Sequence, residues 1–310
     1  GYRVRTLHGL AHDIVRERPA LVGLSDGFQI VDERAADQIR QGAVETWLRE
    51  NPHAADRFLS LDLEEGKLEW VRRTQWPDLV GDIARSFIRR AKDLQVTPDA
   101  LGDQADIGRA SADIGRASGD ASLSASLAHS IPFSDAAEEN ALPLLGMGWA
   151  IYRDYQRALT YRGAVDFDDL IRLALRALQL DAEFLQRLRH RWPFILEDEA
   201  QDSSRLQEKI LQLLVGPDGN WVRVGDPNQA IYETFTTADP QFLRNFLDRE
   251  DVDERELPNS GRSTQSIISL ANALIDWTRE RHPVEAEVIR NALTPPHIQP
   301  SPPGDPQPNP

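Results

Sequence analysis

The chain has 310 residues, more than one small hydrophobic core needs, which favours two domains or one domain with an insertion. It contains no cysteine, which excludes disulfides and thiolate metal sites, and no apolar run long enough for a membrane span or a signal peptide. We therefore expect a cytoplasmic protein without membrane contact. The net charge of -15 argues against a uniformly basic nucleic-acid surface but is compatible with a local basic groove.

The first half of the chain reads as mostly helical. The stretch "TLHGLAHDIVRE" at 6-17 has apolar residues at helical spacing behind Thr6, which is a plausible N-cap. Further helices are expected at 33-49 and 79-95. At 106-126 the pentapeptide DIGRA recurs seven residues apart, but Gly, Ser and Ala cannot form the apolar seam of a coiled coil. We interpret this segment as a flexible insertion.

The second half alternates between helices and strands. Helical patterns at 136-162 and 165-179 precede a strand at 193-197, a helix at 203-215 and a strand at 220-226. This strand, helix, strand order is typical of a parallel α/β sheet. A short strand near "RELPN" and a helix at 263-280 complete the regular part.

A cluster of carboxylates, "EDEAQD" at 197-202, lies where the first of these strands ends. One interpretation is helix capping, by Asp202, Ser203 or Ser204, with Ser204 and Gln207 forming a capping box. Capping does not account for Asp198 and Glu199, which precede the helix. An adjacent Asp-Glu pair at a strand end suits nucleotide hydrolysis, in which one carboxylate holds Mg²⁺ and the next deprotonates the attacking water.

A second polar motif, "GDPNQAIY" at 225-232, follows the next strand. Gly-Asp-Pro-Asn is favourable turn chemistry, so a simple turn is one interpretation. Gln229, however, is a neutral side chain that could contact both a γ-phosphate and a water molecule. Because ligands of open α/β sheets bind at the carboxyl ends of the strands, the two motifs together predict a phosphate-chemistry site.

The order and spacing of several motifs resemble a known family. "ILEDEAQDSS" followed by "VRVGDPNQAIYETFTTADP" resembles motifs II and III of the UvrD/Rep-type superfamily 1 DNA helicases. "TLHGLA" at 6-11 is similar to motif Ib, and "LPNSGRS" at 257-263 is similar to motif IV. "DFDDL" at 166-170 resembles a segment that these helicases carry shortly before motif II.

The resemblance implies a role for each matched catalytic position. Asp198 would coordinate Mg²⁺, and Glu199 would be the general base for the hydrolytic water. Gln229 would sense the γ-phosphate of ATP, and Arg262 would reach across from the second motor domain as an arginine finger. The implied cofactors are therefore ATP and Mg²⁺.

The resemblance also implies contacts with single-stranded DNA. Thr6 and His8 would lie near the DNA backbone, although a histidine at a helix start is as often structural. Tyr232 or Phe235 would stack on a base, the alternative being that both rings belong to the core. Partners beyond DNA and ATP would be the missing helicase segments or other DNA repair proteins.

The chain departs from the family pattern in three ways. Glu197 replaces a small apolar residue and could raise the pKa of a neighbour or face solvent on the opposite side of the strand. Ser260 and Gly261 stand where the family commonly has Asn and an aromatic residue. The P-loop pattern G-x-x-x-x-G-K-[ST] and motifs V and VI do not occur in the sequence.

From these departures we expect a helicase fragment that is inactive alone. The alternatives are a catalytically silent DNA-binding or interaction module, and a Mg²⁺-dependent nuclease or phosphohydrolase that uses Asp198 and Glu199 directly.

The resemblance implies an α/β fold with a RecA-like parallel sheet of the P-loop NTPase type and a mostly helical inserted domain. The first RecA-like domain is expected to comprise 1-20 and 165-250, and the helical insertion 21-164, including the flexible repeat at 106-126. A second RecA-like domain would begin in 251-310, which ends in a proline-rich tail.

Overall fold

The computed structural model describes residues 2-58, 65-100, 135-217, 219-230, 238-293 and 297-301. The DIGRA repeat at 106-126 and the two aromatic residues Tyr232 and Phe235 lie outside these ranges. The chain divides into two compact units, Gly1–Leu188 and Arg189–Pro310. The domain boundaries expected from the sequence stay a prediction.

The first unit is built mainly from helices. They are α1 (Leu7–Glu17), α2 (Glu33–Glu50), α3 (Glu65–Trp70), α4 (Trp76–Asp93), α5 (Asp135–Tyr161), α6 (Phe167–Leu180) and most of α7 (Ala182–Arg191), which continues beyond Leu188, the last residue of the unit. Two short parallel strands, β1 (Gln29–Ile30) and β2 (Ala164–Val165), pair within this unit. A π-helical turn (Val71–Gln75) joins α3 to α4.

Side-chain caps fix where the helices of this unit begin. The Thr6 hydroxyl accepts the Gly9 amide proton at 3.1 Å, which confirms the predicted N-cap of α1. Asp32 and Asp166 cap α2 and α6 in the same way. Helix α4 begins three residues earlier than predicted because Pro77 is tolerated in a first helical turn, and it ends before Gln95, whose φ of 60° is not helical.

The core of the first unit lies between α2, α4 and α5. Its members are apolar or aromatic side chains that the helical spacing places on facing sides, including Val44, Trp76, Val80, Ile88, Tyr152, Tyr155 and Leu159. Helix α1 packs along α6, which buries Ile14, Val15, Leu170 and Leu178. Burial of these side chains is the main stabilising contribution in the unit.

A buried ionic network lies at the edge of this core. Lys92 Nζ is 2.5 Å from Asp166 Oδ2 and 3.0 Å from Asp169 Oδ2, and the Tyr155 hydroxyl donates to Asp166 at 2.6 Å. Although burial alone would lower the pKa of Lys92, the charges of Asp169 and Asp166 raise it above its ordinary value. Two carboxylates of "DFDDL" therefore contribute to the packing of this unit.

The second unit contains the predicted strand, helix, strand order. Strand β3 (Phe194–Glu197), helix α8 (Arg205–Val215) and strand β4 (Asn220–Arg223) follow one another, and β3 pairs with β4 in parallel. The prediction of a parallel α/β arrangement is thereby confirmed, with short strands in a chain that is mostly helical. The unit continues with α9 (Gln241–Leu247), β5 (Asn259–Ser260), α10 (Gln265–Arg281), α11 (Glu287–Arg290) and β6 (Gln299–Pro300), which pairs with β5 in parallel.

The start of α8 settles which residue caps it. Ser204 is extended (φ -80°, ψ 165°), accepts the Gln207 amide proton and donates its own amide to the Gln207 side chain, so the predicted capping box is confirmed. The interpretation of Asp202 as a cap is wrong, because Asp202 belongs to a preceding 3₁₀ turn (Ala200–Asp202). The cap has to be the last extended residue before the helix, and that residue is Ser204.

Among the residues for which the structure gives a placement, no helix has the length and hydropathy that crossing a membrane requires.

Candidate functional site

The two polar motifs lie side by side at the carboxyl ends of β3 and β4. Glu197 pairs with Arg223 at the end of the two strands. Backbone hydrogen bonds continue beyond them, from Val224 N to Glu197 O at 2.8 Å and from Ala200 N to Val224 O at 3.0 Å. This extension brings the "EDEAQD" segment against the "GDPNQ" segment, as expected for strand ends on one edge of a parallel pair.

Asp198 and Glu199 are both exposed directly after β3. Asp198 Oδ1 accepts the Glu199 amide proton at 3.1 Å. Glu199 has a left-handed backbone (φ 54°, ψ 44°), which is uncommon for a residue other than glycine and costs conformational energy. Such backbones cluster at functional sites.

The segment after β4 is a tight turn that Asp226 organises. Its Oδ1 accepts the Asn228 amide proton and its backbone carbonyl accepts the Gln229 amide proton, both at 2.9 Å. Asp226 Oδ2 also accepts a hydrogen bond from Gln229 Nε2 at 2.9 Å. The turn interpretation is therefore correct as local structure, and the same turn holds the exposed Gln229 side chain at the strand end.

Gln201 connects the two segments, and the sequence analysis did not identify it. Its side chain is 2% exposed, donates to Glu199 Oε2 at 2.7 Å and accepts the Asp226 amide proton at 3.2 Å. Gly225 permits this approach, because a Cβ atom there would lie 2.6 Å from Gln201 Oε1. The sequence carried one signal for this role, which is an uncharged amide side chain among the carboxylates of "EDEAQD", directly after Ala200.

Glu197 does not join this site. Its carboxylate is buried, forms an ion pair with Arg223 at 2.8 Å and accepts a hydrogen bond from the Ser203 hydroxyl at 2.5 Å. Arg223 also pairs with Glu208 at 2.8 Å, and burial raises the pKa of Glu208. Because side chains alternate along a strand, Glu197 lies on the face opposite Asp198, and it is paired inside the unit instead of facing solvent.

Asp202 lies on the 3₁₀ turn beside the site. Burial, followed by the negative charge of Glu199, raises the pKa of Asp202 above its ordinary value. The protonation of Asp202 thus depends on the charge of Glu199, the candidate base, and Asp202 is not the helix cap expected from the sequence.

Arg262 and Gln229 line one cleft of about 1610 Å³ in the second unit, together with Asp226, Ser260 and Gly261. Arg262 is exposed in the loop between β5 and α10. Asp198 and Glu199 are not among the residues lining this cleft, and Gln201 links Glu199 to its wall at Asp226. A Cβ at Gly261 would lie 3.1 Å from the Ser301 hydroxyl, so a larger residue there would require Ser301 to move.

The residues predicted to contact DNA fall in different parts of the chain. Thr6 caps α1, and the neighbouring His8 ring packs edge-on against Phe167 with centroids 5.4 Å apart. Burial lowers the pKa of His8, which favours the neutral ring. Tyr232 and Phe235 lie outside the described residues.

The described residues contain no group of three or more His, Asp or Glu side chains that could hold a metal ion alone. Mg²⁺ commonly takes only one or two protein carboxylates and completes its shell with water and substrate phosphates. The exposed Asp198 carboxylate at the strand end fits such a partial site.

Comparison with known proteins identifies the family. Residues 1-251 match the model of the UvrD/REP helicase N-terminal domain. The ATP-dependent DNA helicase UvrD2 of Mycobacterium tuberculosis is 37% identical over 137 residues, which are 43% of this chain and 19% of that protein. DNA helicase II of Haemophilus influenzae is 26% identical over 281 residues, or 91% of this chain and 30% of that protein.

A third relative, the ATP-dependent DNA helicase PcrA of Staphylococcus epidermidis, is 35% identical over 136 residues, covering 43% of this chain and 18% of that protein. The chain spans less than a third of the length of these three relatives. The family match covers most of the chain and includes both strand-end motifs. The chain belongs to the UvrD/REP helicase family, through that family's N-terminal domain.

Proposed function

We propose that this chain carries part of an ATP-dependent DNA helicase motor, in which ATP hydrolysis drives movement along single-stranded DNA. The observation that carries the proposal is the juxtaposition, in a chain of this family, of the Asp198-Glu199 pair and the Asp226–Gln229 turn at the ends of two parallel strands. In this proposal β3, α8 and β4 belong to the first RecA-like domain, and β5 and α10 belong to the start of a second RecA-like domain.

Each site residue has a role that its position supports. Mg²⁺, when bound with ATP, neutralises charge on the β- and γ-phosphates. Asp198 would hold that ion through its exposed carboxylate, and Glu199 would accept the proton of the attacking water. Gln229 would contact the γ-phosphate after leaving Asp226, and Arg262, which lines the same cleft, would stabilise charge that develops on the phosphoryl group.

DNA would be held without regard to sequence. Thr6 and His8 are proposed to lie near the backbone, and Tyr232 or Phe235 to stack on a base, a contact that contributes about 1-3 kcal/mol per base. Because the chain carries a net charge of -15, such binding would depend on a local basic surface and weaken with salt.

A second candidate function is a catalytically silent DNA-binding module. One observation favours it: the pattern G-x-x-x-x-G-K-[ST], whose lysine and backbone amides hold triphosphates, does not occur in the 310 residues. For the same reason we propose that these residues alone bind DNA but hydrolyse ATP slowly or not at all.

The test is a set of measurements on the chain and on Glu199→Gln. Fluorescence anisotropy with a labelled oligonucleotide should show binding to single-stranded DNA that weakens as salt rises. ATP hydrolysis is measured with Mg²⁺, with and without DNA. DNA-stimulated turnover that Glu199→Gln abolishes would establish a working motor and contradict inactivity of the chain alone.

Binding without turnover supports a motor part or the silent module. Adding a P-loop-containing segment of a relative separates these two, because only a motor part gains turnover that Glu199→Gln removes. Cleavage of DNA that needs Mg²⁺ but no ATP would instead support a nuclease and overturn the proposal.

A further inference from the structure

The Gln201 side chain touches both strand-end segments through its two amide atoms. Nε2 donates to Glu199 Oε2 at 2.7 Å, and Oε1 accepts the Asp226 amide proton at 3.2 Å. The side chain is 2% exposed, so the Gln201 amide lies in the interior of the unit, while its partner Glu199 is exposed.

The hydrogen bonds continue beyond Asp226 to the second motif. The Asp226 carboxylate accepts from Gln229 Nε2 at 2.9 Å and from the Asn228 amide at 2.9 Å. An unbroken connection therefore runs from the Glu199 carboxylate through Gln201 and Asp226 to the Gln229 side chain. Both ends of this connection are exposed, and its centre is buried.

Only a side chain with both a donor and an acceptor can occupy the centre. An ionised Glu at position 201 could accept from Asp226 but could not donate to Glu199, and Met could accept only weakly and could not donate at all. Gly225 leaves the space, since a Cβ there would also lie 3.0 Å from the Ala200 backbone nitrogen. The left-handed backbone of Glu199 needs such external support.

We propose that Gln201 is a positioning residue that couples the Glu199 carboxylate to the Asp226–Gln229 turn. When Gln229 leaves Asp226 for another acceptor, the change in Asp226 reaches Glu199 through Gln201. The relevance of this coupling to ATP hydrolysis rests on the proposed function, in which Glu199 is the general base and Gln229 contacts the γ-phosphate. The coupling itself is a property of the chain without nucleotide.

The first test is amide hydrogen exchange, followed by NMR on the full chain without nucleotide. Gln201→Met should make the Asp226 amide exchange about tenfold faster, the loss expected for one net hydrogen bond. Gln212→Met is the matched control, because Gln212 is an exposed glutamine of α8 that bonds Glu208 within its own helix. It should leave the Asp226 amide unchanged.

The second test is a double-mutant cycle. Glu199→Ala should change the exchange of the Asp226 and Gln229 amides in the parent chain but not in Gln201→Met. Gln201→Glu keeps an acceptor for Asp226 but sets a second carboxylate beside Glu199, so it should retain protection of that amide, and Glu199→Ala, which removes the repulsion between the two carboxylates, should not make the amide exchange faster. This variant also keeps the test decisive if Gln201→Met fails to fold.

Two outcomes would overturn the coupling: unchanged exchange at Asp226 in Gln201→Met, or an equal effect of Glu199→Ala in both backgrounds. Repeating the cycle with Mg²⁺, a non-hydrolysable ATP analogue and the P-loop-containing segment of a relative tests the nucleotide separately. If the analogue has no effect while the cycle shows coupling, the proposed ATP chemistry fails for this chain and the role of Gln201 stands.

Discussion

At the scale of single residues, the stability of the first unit depends on Lys92. Its ammonium group is fully buried and balanced by Asp166 and Asp169. A buried charge is tolerated only while it is paired, so the energetic consequence of the network appears when one partner is removed.

We expect Lys92→Met to lower the free energy of unfolding by about 3-5 kcal/mol, because two buried carboxylates lose their counter-ion. Urea denaturation measures this change. Arg90→Met on the same helix is the control: Arg90 pairs with Asp93 at 3.7 Å but is 41% exposed, so its loss should cost about 1 kcal/mol or less. Equal costs for the two variants would contradict a stabilising role for the Lys92 network.

Adjacent carboxylates of "DFDDL" should respond to pH in opposite directions. Burial, and then the charge of Asp166, raise the pKa of Asp168 to about 6. The charge of Lys92 lowers the pKa of Asp169, although burial alone would raise it. The folded protein thus binds a proton at Asp168 more tightly than the unfolded chain does, so this group's contribution to stability is lost as pH rises from about 4 to 6.

Asp168→Asn should therefore stabilise the protein at pH 7 by about 1-3 kcal/mol and give little gain at pH 4. Asp169→Asn should destabilise it at pH 7, with a smaller loss as pH falls, since its ion pair exists only when the carboxylate is charged. Urea titrations at pH 7 and pH 4 measure the difference for Asp168→Asn, and a further titration at about pH 3 measures the smaller loss for Asp169→Asn, because the lowered pKa of Asp169 keeps this carboxylate charged at pH 4. A gain for Asp168→Asn that is independent of pH would argue against the raised pKa.

At the scale of elements, the parallel unit β3-α8-β4 is held by the cap of α8 as well as by its core. Ser204 accepts the Gln207 amide proton in a complete capping box. Ser204→Ala should destabilise the second unit by about 0.5-2 kcal/mol. Thr264 at the start of α10 is the matched control, because its hydroxyl contacts Ser266 at 3.0 Å instead of an amide of its helix.

Thr264→Ala should consequently cost less than Ser204→Ala in thermal or urea unfolding. If both variants cost the same, the loss at Ser204 comes from the general removal of a hydroxyl and not from the cap.

The sequence allowed the helices with clear apolar spacing and the parallel order of β3 and β4 to be predicted, because periodicity and turn residues are local signals. Helices α3, α9 and α11 and the short strands β1, β2 and β6 were missed, since segments of two to seven residues have too few positions to show a period, and the ten-residue helix α7 was not predicted either. The buried position of Glu197 could not be predicted, because it depends on an ion pair with Arg223, which is distant in sequence. Gln201 was missed for the same reason, because one of its contacts, Asp226, lies in the turn that follows the next strand.

At the scale of the molecule, an apolar face of the β3-β4 pair is exposed. Phe194 and Leu196 are 66% and 77% exposed, and Val222 and Val224 are 51% and 47% exposed, all on one side of the pair. Neighbouring apolar residues exposed in this way favour association with other apolar surfaces. The net charge of -15 opposes self-association through repulsion, which salt screens.

We therefore expect the chain to bind 1-anilinonaphthalene-8-sulfonate in its folded state and to self-associate more at 1 M than at 0.1 M salt. The double substitution Leu196→Thr and Val222→Thr should reduce both effects, because it removes apolar area from the centre of the face. Val4→Thr is the control, since Val4 is 78% exposed but lies outside this face. Dye fluorescence and analytical ultracentrifugation measure the two effects, and equal behaviour of the double variant and Val4→Thr would show that the β3-β4 face is not the adhesive surface.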